Sequence, residues 1–324
     1  MAASKKSTEE PGIRENPVEL GGRFLDAVVK ELWAITWGDA RRLIETGKIK
    51  MDGFVVTEPR RHVRPKASIE LDPRARKPRP DTDLDPSRIE FADAHVIVVD
   101  KPSGMSTVPF NERETGTLEA RVRAWVAAQS KKDRQNMTPP NLGVVHRIDA
   151  ETSGLLVFTR TWLAKQSLAS QFRAHTVVRR YVAIAHGKVR PQTIETHIME
   201  DRGDGLRGSW EARQRKGKPT GQRAITHITP LEHLPGGATL VECRLETGRT
   251  HQIRIHLSEV GHPLVGERVY VRNFRLPQIP APRLMLHAQK LGFVHPVDQT
   301  DVVFERSPPP DFEEVLVRLR EATV

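Results

Sequence analysis

Apolar runs separated by charged turns divide the chain into elements. Phe24, Leu25, Val28, Val29 and Leu32 recur at helical spacing and predict a first helix with one apolar stripe. Thr36 followed three residues later by Asp39 has the form of a capped start. Ala40, Leu43 and Ile44 then supply the buried face of a second helix that exposes Arg41 and Arg42, and Gly47 suits its end. Asp52-Gly53 between apolar residues signals a hairpin, and residues 63–71 offer a further strand after Arg60, Arg61 and Arg64. From 73 to 87 proline and charge replace any apolar period, which predicts a linker.

Beyond it, Ile89 with Phe91 and then residues 96–99 read as short strands followed by a loop at 100–104. Leu118, Val122, Trp125 and Val126 fall at helical intervals, ahead of a basic, proline-containing stretch at 131–140. Residues 144–158 are the centre of the pattern, because two apolar runs there enclose a charged segment. If the first run stays extended, Arg147 and Asp149 share a face; residues 152–154 then read as a turn, and 155–158 return to the core. A carboxylate between two core strands is costly to bury unless it is paired.

Thr161 is a candidate cap for a helix carrying Ala164, Leu168 and Phe172, and residues 179–184 predict a strand. Tyr181, taken by itself, reads as a strand packing residue. Residues 199–223 are polar and fit a long loop or hairpin extension. Gly203, Gly205 and Gly208 match a dinucleotide-binding glycine pattern, but no apolar-faced helix follows, so that reading is rejected. Arg207, Arg213, Arg215, Lys216 and Lys218 read instead as a basic loop that is either simply solvated or faces phosphates. Residues 240–245 alternate as a strand. In the segment after it, Arg254 between Ile253 and Ile255 is the candidate cation for Asp149.

Composition narrows the function classes. Basic residues outnumber acidic ones 51 to 41, which favours a polyanionic partner such as nucleic acid. A single cysteine, Cys243, excludes an internal disulfide framework or a multi-cysteine zinc site and fits a reducing cytoplasm. His251, His256 and His262, spaced five and six apart, fit no common zinc pattern, so no metal is expected. No apolar run is long enough to span a membrane, and residues 1–19 read as a flexible polar arm.

Residues 20–72, two helices and a hairpin with basic residues, resemble the ribosomal-protein-S4-type RNA-binding domain; the resemblance implies phosphate contacts from Arg41, Arg42, Arg60, Arg61 and Arg64. The stretch His146-Arg147-Ile148-Asp149 through Thr152-Ser153-Gly154, with Gly248-Arg249-Thr250-His251-Gln252-Ile253-Arg254, closely resembles the RluA-type RNA pseudouridine synthase family. The match extends through residues 101–104, Tyr181, 261–266, 283–288 and His295-Pro296, so it covers nearly all of 88–306. It implies an α+β fold with a mixed, largely antiparallel sheet, followed by a tail or helix at 307–324. It also implies uridine isomerisation in RNA, with ribosomal RNA of the large subunit favoured over transfer RNA, without a cofactor and as a monomer.

By the same resemblance Asp149 is the catalytic carboxylate, attacking the ribose anomeric carbon or removing the neighbouring ribose proton. Arg254 pairs with it and keeps it ionised, Tyr181 lies against the target base, and Arg147 fills the space left by a flipped uridine. His146, Thr152, Arg249, His251 and Gln252 are expected to contact substrate. Ile148 and Glu267 stand where leucine and aspartate are usual, neither in an assigned catalytic role. A hydrolase using Asp149 with Glu151 lacks a second opposed acid. A silent RNA-binding protein on the same fold would not need Asp149, Tyr181 and Arg254 together.

Overall fold

The computed structural model describes residues 12–17, 20, 22–57, 59–63, 65–75, 84–110, 114–132, 142–213 and 217–322. They fall in two units, one within Met1–Asp81 and the other within Thr82–Val324. The stretches 131–140 and 73–87 singled out above lie largely outside the described residues, as do Arg64, Arg215 and Lys216.

In the first unit, strand β1 (Gly12–Glu15) precedes α1 (Leu25–Trp33) and α2 (Trp37–Glu45), followed by β2 (Ile49–Met51), β3 (Phe54–Val55) and β4 (Ser68–Leu71). The Thr36 hydroxyl accepts from the Asp39 N–H and starts α2 as its sequence suggests. Asp52-Gly53 turns β2 into β3. Leu25, Val28, Val29, Leu43 and Ile44 of the helices close over Ile49, Ile69 and Leu71. Two expectations change. Gly12–Glu15, assigned to the polar arm, pairs antiparallel with β4 and becomes the edge of a four-stranded sheet ordered β1-β4-β2-β3. The strand expected over 63–71 is limited to Ser68–Leu71.

The second unit is built on one mixed sheet. Its strands are β5 (Ile89–Ala92), β6 (Val96–Lys101), β7 (Gly143–Val144), β8 (Ser153–Thr159), β9 (Val178–His186), β10 (Gln192–Met199), β11 (Gly208–Ser209), β12 (Gln222–Leu234), β13 (Ala238–Leu245), β14 (Leu286–Val294) and β15 (Asp301–Glu305). They run in the order β11-β10-β12-β13-β9-β14-β8-β6-β5, with β15 also on β14 and β7 on β8. Only the β14–β8 pairing is parallel among these described strands.

The continuous apolar runs of β6 and β8 follow from cover on both faces. Leu156, Phe158, Ile97 and Val99 point to the side of helix α3 (Leu118–Lys132), while Leu155, Val157, Val96 and Val98 point to the side of α4 (Trp162–Arg173). Thr161 caps α4 through the Ala164 N–H. Helix α5 (Gln252–Glu259) inserts residues 252–257 fully into the core, and α6 (Pro310–Glu321), in the stretch expected as a tail or helix, buries Phe312, Val315, Leu316 and Leu319.

Residues 152–154 are not a turn. The turn is at Ala150-Glu151, and β8 starts at Ser153 because Gly154 lies against β14. Gly154 has φ +111, and a Cβ there would stand 2.3 Å from the Ala288 carbonyl oxygen. The close parallel approach of β8 and β14 therefore requires a glycine.

Candidate active site

The first apolar run of the 144–158 segment stops pairing at Val144, since only Gly143 and Val144 bond to β8. Residues 145–149 leave the sheet as a loop, in which Ile148 is buried, Asp149 half-buried and Arg147 exposed. This overturns the buried-carboxylate expectation: Asp149 stands at the wall of a cleft rather than between two core strands. The cleft encloses about 510 Å³ and is lined by Arg147, Asp149, Tyr181 and Arg254 together with His146, Thr152, Arg249, His251 and Gln252. The residues singled out by the two motifs and by Tyr181 thus converge from three segments of the chain.

The Asp149 loop is held by its backbone. Lys101, at 0% exposure, donates from Nζ to the carbonyls of Pro102 (2.9 Å), Met105 (2.8 Å) and Ala150 (3.0 Å). Burial pulls its pKa down to about 7, yet three carbonyl acceptors require all three ammonium protons, so the bonded form is the charged one. Gly104 N–H also donates to Ala150, Ser103 Oγ to the Glu151 carbonyl, and Thr107 Oγ1 to the Ile148 carbonyl. The 101–107 segment therefore clamps the chain on both sides of Asp149. The Asp149 carboxylate itself accepts no hydrogen bond among the described residues, and it lies in the electrostatic field of Lys101, His251 and Arg254.

Arg254 does not form an ion pair with Asp149. Its Nε and Nη2 bond to Glu267 at 2.7 and 2.8 Å, and Nη2 lies 3.2 Å from Glu151. The reason is geometric: the turn after β-bridge residue Leu264 carries Glu267 back to α5, and its Oε1 also accepts the N–H groups of Arg268 and Val269 at 3.0 and 2.8 Å. Burial works against both charges. The hydrogen bonds and mutual attraction outweigh it, raising the Arg254 pKa and lowering that of Glu267. Glu267, set aside as a departure from the usual aspartate, is thus the residue that fixes Arg254; its place straight after Gly266 in a quoted motif was the available signal.

Tyr181, on β9, is 8% exposed and presents its ring to the cleft. Its hydroxyl makes no hydrogen bond among the described residues, and burial pushes its pKa up to about 12. Behind it, Cys243 of β13 is its register partner.

Other expected contacts divide. Thr152 is buried and its N–H donates to the Asp149 carbonyl at 3.1 Å. Gln252 accepts from Thr247 Oγ1 and Arg249 N–H and donates to the Ile225 carbonyl and Thr226 Oγ1. With all four positions used, Gln252 holds the turn before α5 while also lining the cleft. His146 stacks on Phe172 at 4.5 Å, and its Nε2 accepts the Val157 N–H; burial lowers its pKa to about 3, so the ring is neutral.

The sequence reading missed Arg179. It is 7% exposed, donates from Nη2 to the Glu246 carbonyl, lies over the Phe172 ring, and lines the cleft. A Cβ at Gly248 would stand 2.6 Å from its Nη1, so the glycine of the second motif makes room for this guanidinium. Burial pulls its pKa down. Among the described residues neither Arg179 nor the other cleft arginines Arg147, Arg173 and Arg249 pairs with a carboxylate. The described residues hold no group of acidic, histidine and cysteine side chains suited to a metal, and no helix long and apolar enough to cross a membrane.

In the first unit Arg41 and Arg42 are exposed, as read, but bonded to Asp26 and Asp39 at 2.9 and 2.8 Å. Arg60 and Arg61 are exposed, with Arg60 over the Phe24 ring. In the 199–223 loop Arg207 lies 3.6 Å from Glu200.

Residues 95–259 match the family described as RNA pseudouridylate synthase. Over 319 residues the chain is 34% identical to the ribosomal large subunit pseudouridine synthase D of Zymomonas mobilis, covering 94% of this chain and 96% of that one. Its counterpart of the same name in Pseudomonas aeruginosa is 33% identical over 325 residues, 95% of each chain. Among solved structures, human RNA Pseudouridylate Synthase Domain Containing 4 superposes with a TM-score of 0.57 at 23% identity, over 72% of this chain and 93% of that one.

Proposed function

The chain belongs to the RNA pseudouridylate synthase family and is an isomerase acting on RNA, and from that premise we propose that it converts uridine to pseudouridine in large-subunit ribosomal RNA with Asp149 as the reacting carboxylate. The observation that carries the reading is the cleft itself: beside Tyr181 stands a carboxylate that accepts no hydrogen bond from the described residues, with arginines along the wall that no carboxylate among those residues neutralises. A polyanion supplies the charge these arginines lack. The ribosomal substrate rests on the names of the relatives similar over nearly the whole chain.

Within this reading the base is detached from the ribose anomeric carbon, turned, and rejoined through its carbon 5. Asp149 either attacks the anomeric carbon, giving a covalent sugar intermediate, or takes the neighbouring ribose proton, giving a glycal. Both routes need it ionised. Lys101 and Arg254 supply the positive surroundings, and among the described residues neither spends a hydrogen bond on the carboxylate. Tyr181 offers the flipped base a flat face and a free hydroxyl, and exposed Arg147 is suited to fill the gap left in the RNA. The first unit, read as an S4-type module, adds phosphate contacts from Arg41, Arg42, Arg60 and Arg61, which contribute affinity and little sequence choice.

Mapping pseudouridines in total RNA from cells with and without the gene tests the assignment. Loss of one or more positions in large-subunit ribosomal RNA is expected. Loss confined to transfer RNA would replace the substrate and keep the chemistry, and an unchanged map would reject both.

A further inference from the structure

His251 occupies an unusual place. It precedes α5 with φ 58 and ψ 20, in the left-handed region that a residue other than glycine rarely adopts, and its side chain makes no capping bond to the helix it precedes. An N-cap residue ordinarily has extended backbone angles and bonds its side chain to the first turn. Here the ring is committed elsewhere: Nδ1 lies 2.7 Å from the Tyr270 hydroxyl, and the two rings meet edge to face at 5.6 Å.

That bond sets the proton position on the imidazole. Tyr270 is 4% exposed, and burial pushes its pKa up to about 12, so the hydroxyl keeps its proton. The hydroxyl has no other hydrogen-bond partner among the described residues; its buried proton is satisfied only by donating to Nδ1, an arrangement that puts the imidazole proton on Nε2. Burial also lowers the His251 pKa and keeps the ring neutral. Nε2 makes no bond among the described residues, and the ring lines the cleft within the field of the Asp149 carboxylate.

We infer that His251 is a catalytic hydrogen-bond donor, whose Nε2–H, fixed by Tyr270, stabilises the uracil ring while it is detached from the ribose. The inference rests on the assignment of uridine isomerisation and adds a residue to it. When the bond from the anomeric carbon to N1 breaks, its electron pair leaves with the base and spreads onto the ring oxygens. Carbonyl oxygen 2, adjacent to N1, is the ring oxygen nearest the breaking bond, and His251 shares with Asp149 the cleft in which that bond would lie. Donation from Nε2–H strengthens as that charge grows and fades when the bond to carbon 5 forms. His251 transfers no proton: the proton lost from carbon 5 is matched by the one regained at N1, and the imidazole ends in the tautomer in which it began. The role is the same for the covalent and the glycal routes, because the base leaves as an anion in both.

The test joins a tautomer measurement with kinetics on the full chain. Nitrogen-15 NMR of histidine-labelled protein should show His251 protonated at Nε2 and bare at Nδ1, and a mixture of tautomers in Tyr270→Phe. On a transcript of large-subunit ribosomal RNA, His251→Ala should lower kcat by about 100-fold, the scale of losing one donor to developing charge, with RNA affinity unchanged. His251→Gln, which keeps an N–H, should recover part of the loss, which a packing role would not. A ring protonated at Nδ1, unchanged kcat in His251→Ala, or equal losses in the alanine and glutamine variants would overturn the inference. The tautomer measurement needs no RNA, so a wild-type chain that leaves the transcript unmodified would reject the uridine assignment separately.

Discussion

Two sets of arginines face the same cleft, and they are built in opposite ways. On the floor, Arg254 is bonded twice to Glu267, whose side chain has 0% exposure, and once to Glu151, so its charge is answered inside the protein. Along the wall, Arg147, Arg173, Arg179 and Arg249 have no carboxylate among the described residues, and Arg179 is as buried as a core residue. A buried guanidinium without a counter-ion is unfavourable in the free protein. Its retention beside the proposed reacting residues makes sense when the missing charge arrives with the substrate. Proximity to a cleft therefore does not define a substrate contact, whereas an unanswered charge there does.

This contrast breaks most easily at the floor. Arg254→Met leaves Glu267 buried without its cation and is expected to cost about 3–5 kcal/mol of stability, read as a large fall in Tm, with activity lost as well. Unchanged thermal stability would mean that the pair is not the dry structural contact described. At the wall, Arg179→Met should do the reverse. Folding stability should change by less than about 1 kcal/mol, since replacing an uncompensated buried charge by an apolar chain is often neutral. RNA affinity should fall, and the slope of log affinity against log salt should shrink by about 0.7–0.9 for a lost phosphate contact. An unaltered slope with a collapsed Tm would place Arg179 with the floor.

A smaller effect comes from acid. Burial alone would raise the Glu267 pKa, but Arg254 lowers it below the usual carboxylate range. As pH falls the unfolded chain therefore takes up the proton first, so this contribution to stability is complete above about pH 5 and is lost as pH drops through the depressed folded value. The gap in Tm between wild type and Glu267→Gln should narrow over that acid range. A gap independent of pH would show that ionisation of Glu267 does not stabilise the fold.

Local signals carried much of this architecture. Thr36 and Thr161 cap the helices expected of them, the strands around Val96, Tyr181 and Leu240 form, and the motif residues meet in one cleft. What the sequence hid were contacts between distant segments. Residues 144–149 carry an alternation that suits a strand, but of that run only Val144 pairs with β8, so Asp149 comes out half-exposed. Gly154 looks like a turn residue because its need for a missing side chain arises from Ala288, on another strand. Arg254 invited pairing with the one carboxylate already in question. Its actual partner was fixed by a turn that brings Glu267 back beneath α5, a fact of path rather than composition. Arg179 gave no local sign beyond a basic pair at the start of a strand, since what distinguishes it is burial without a carboxylate among the described residues.

The central claim is that Asp149, positioned by the clamp from Lys101 to Thr107 and accepting no hydrogen bond from the described residues, is the group that reacts. Asp149→Asn keeps the shape of the side chain and removes the charge, so pseudouridine formation in large-subunit ribosomal RNA should be abolished while RNA affinity and its salt dependence stay at wild-type values. Pseudouridine formed by this variant at the wild-type rate would contradict the account.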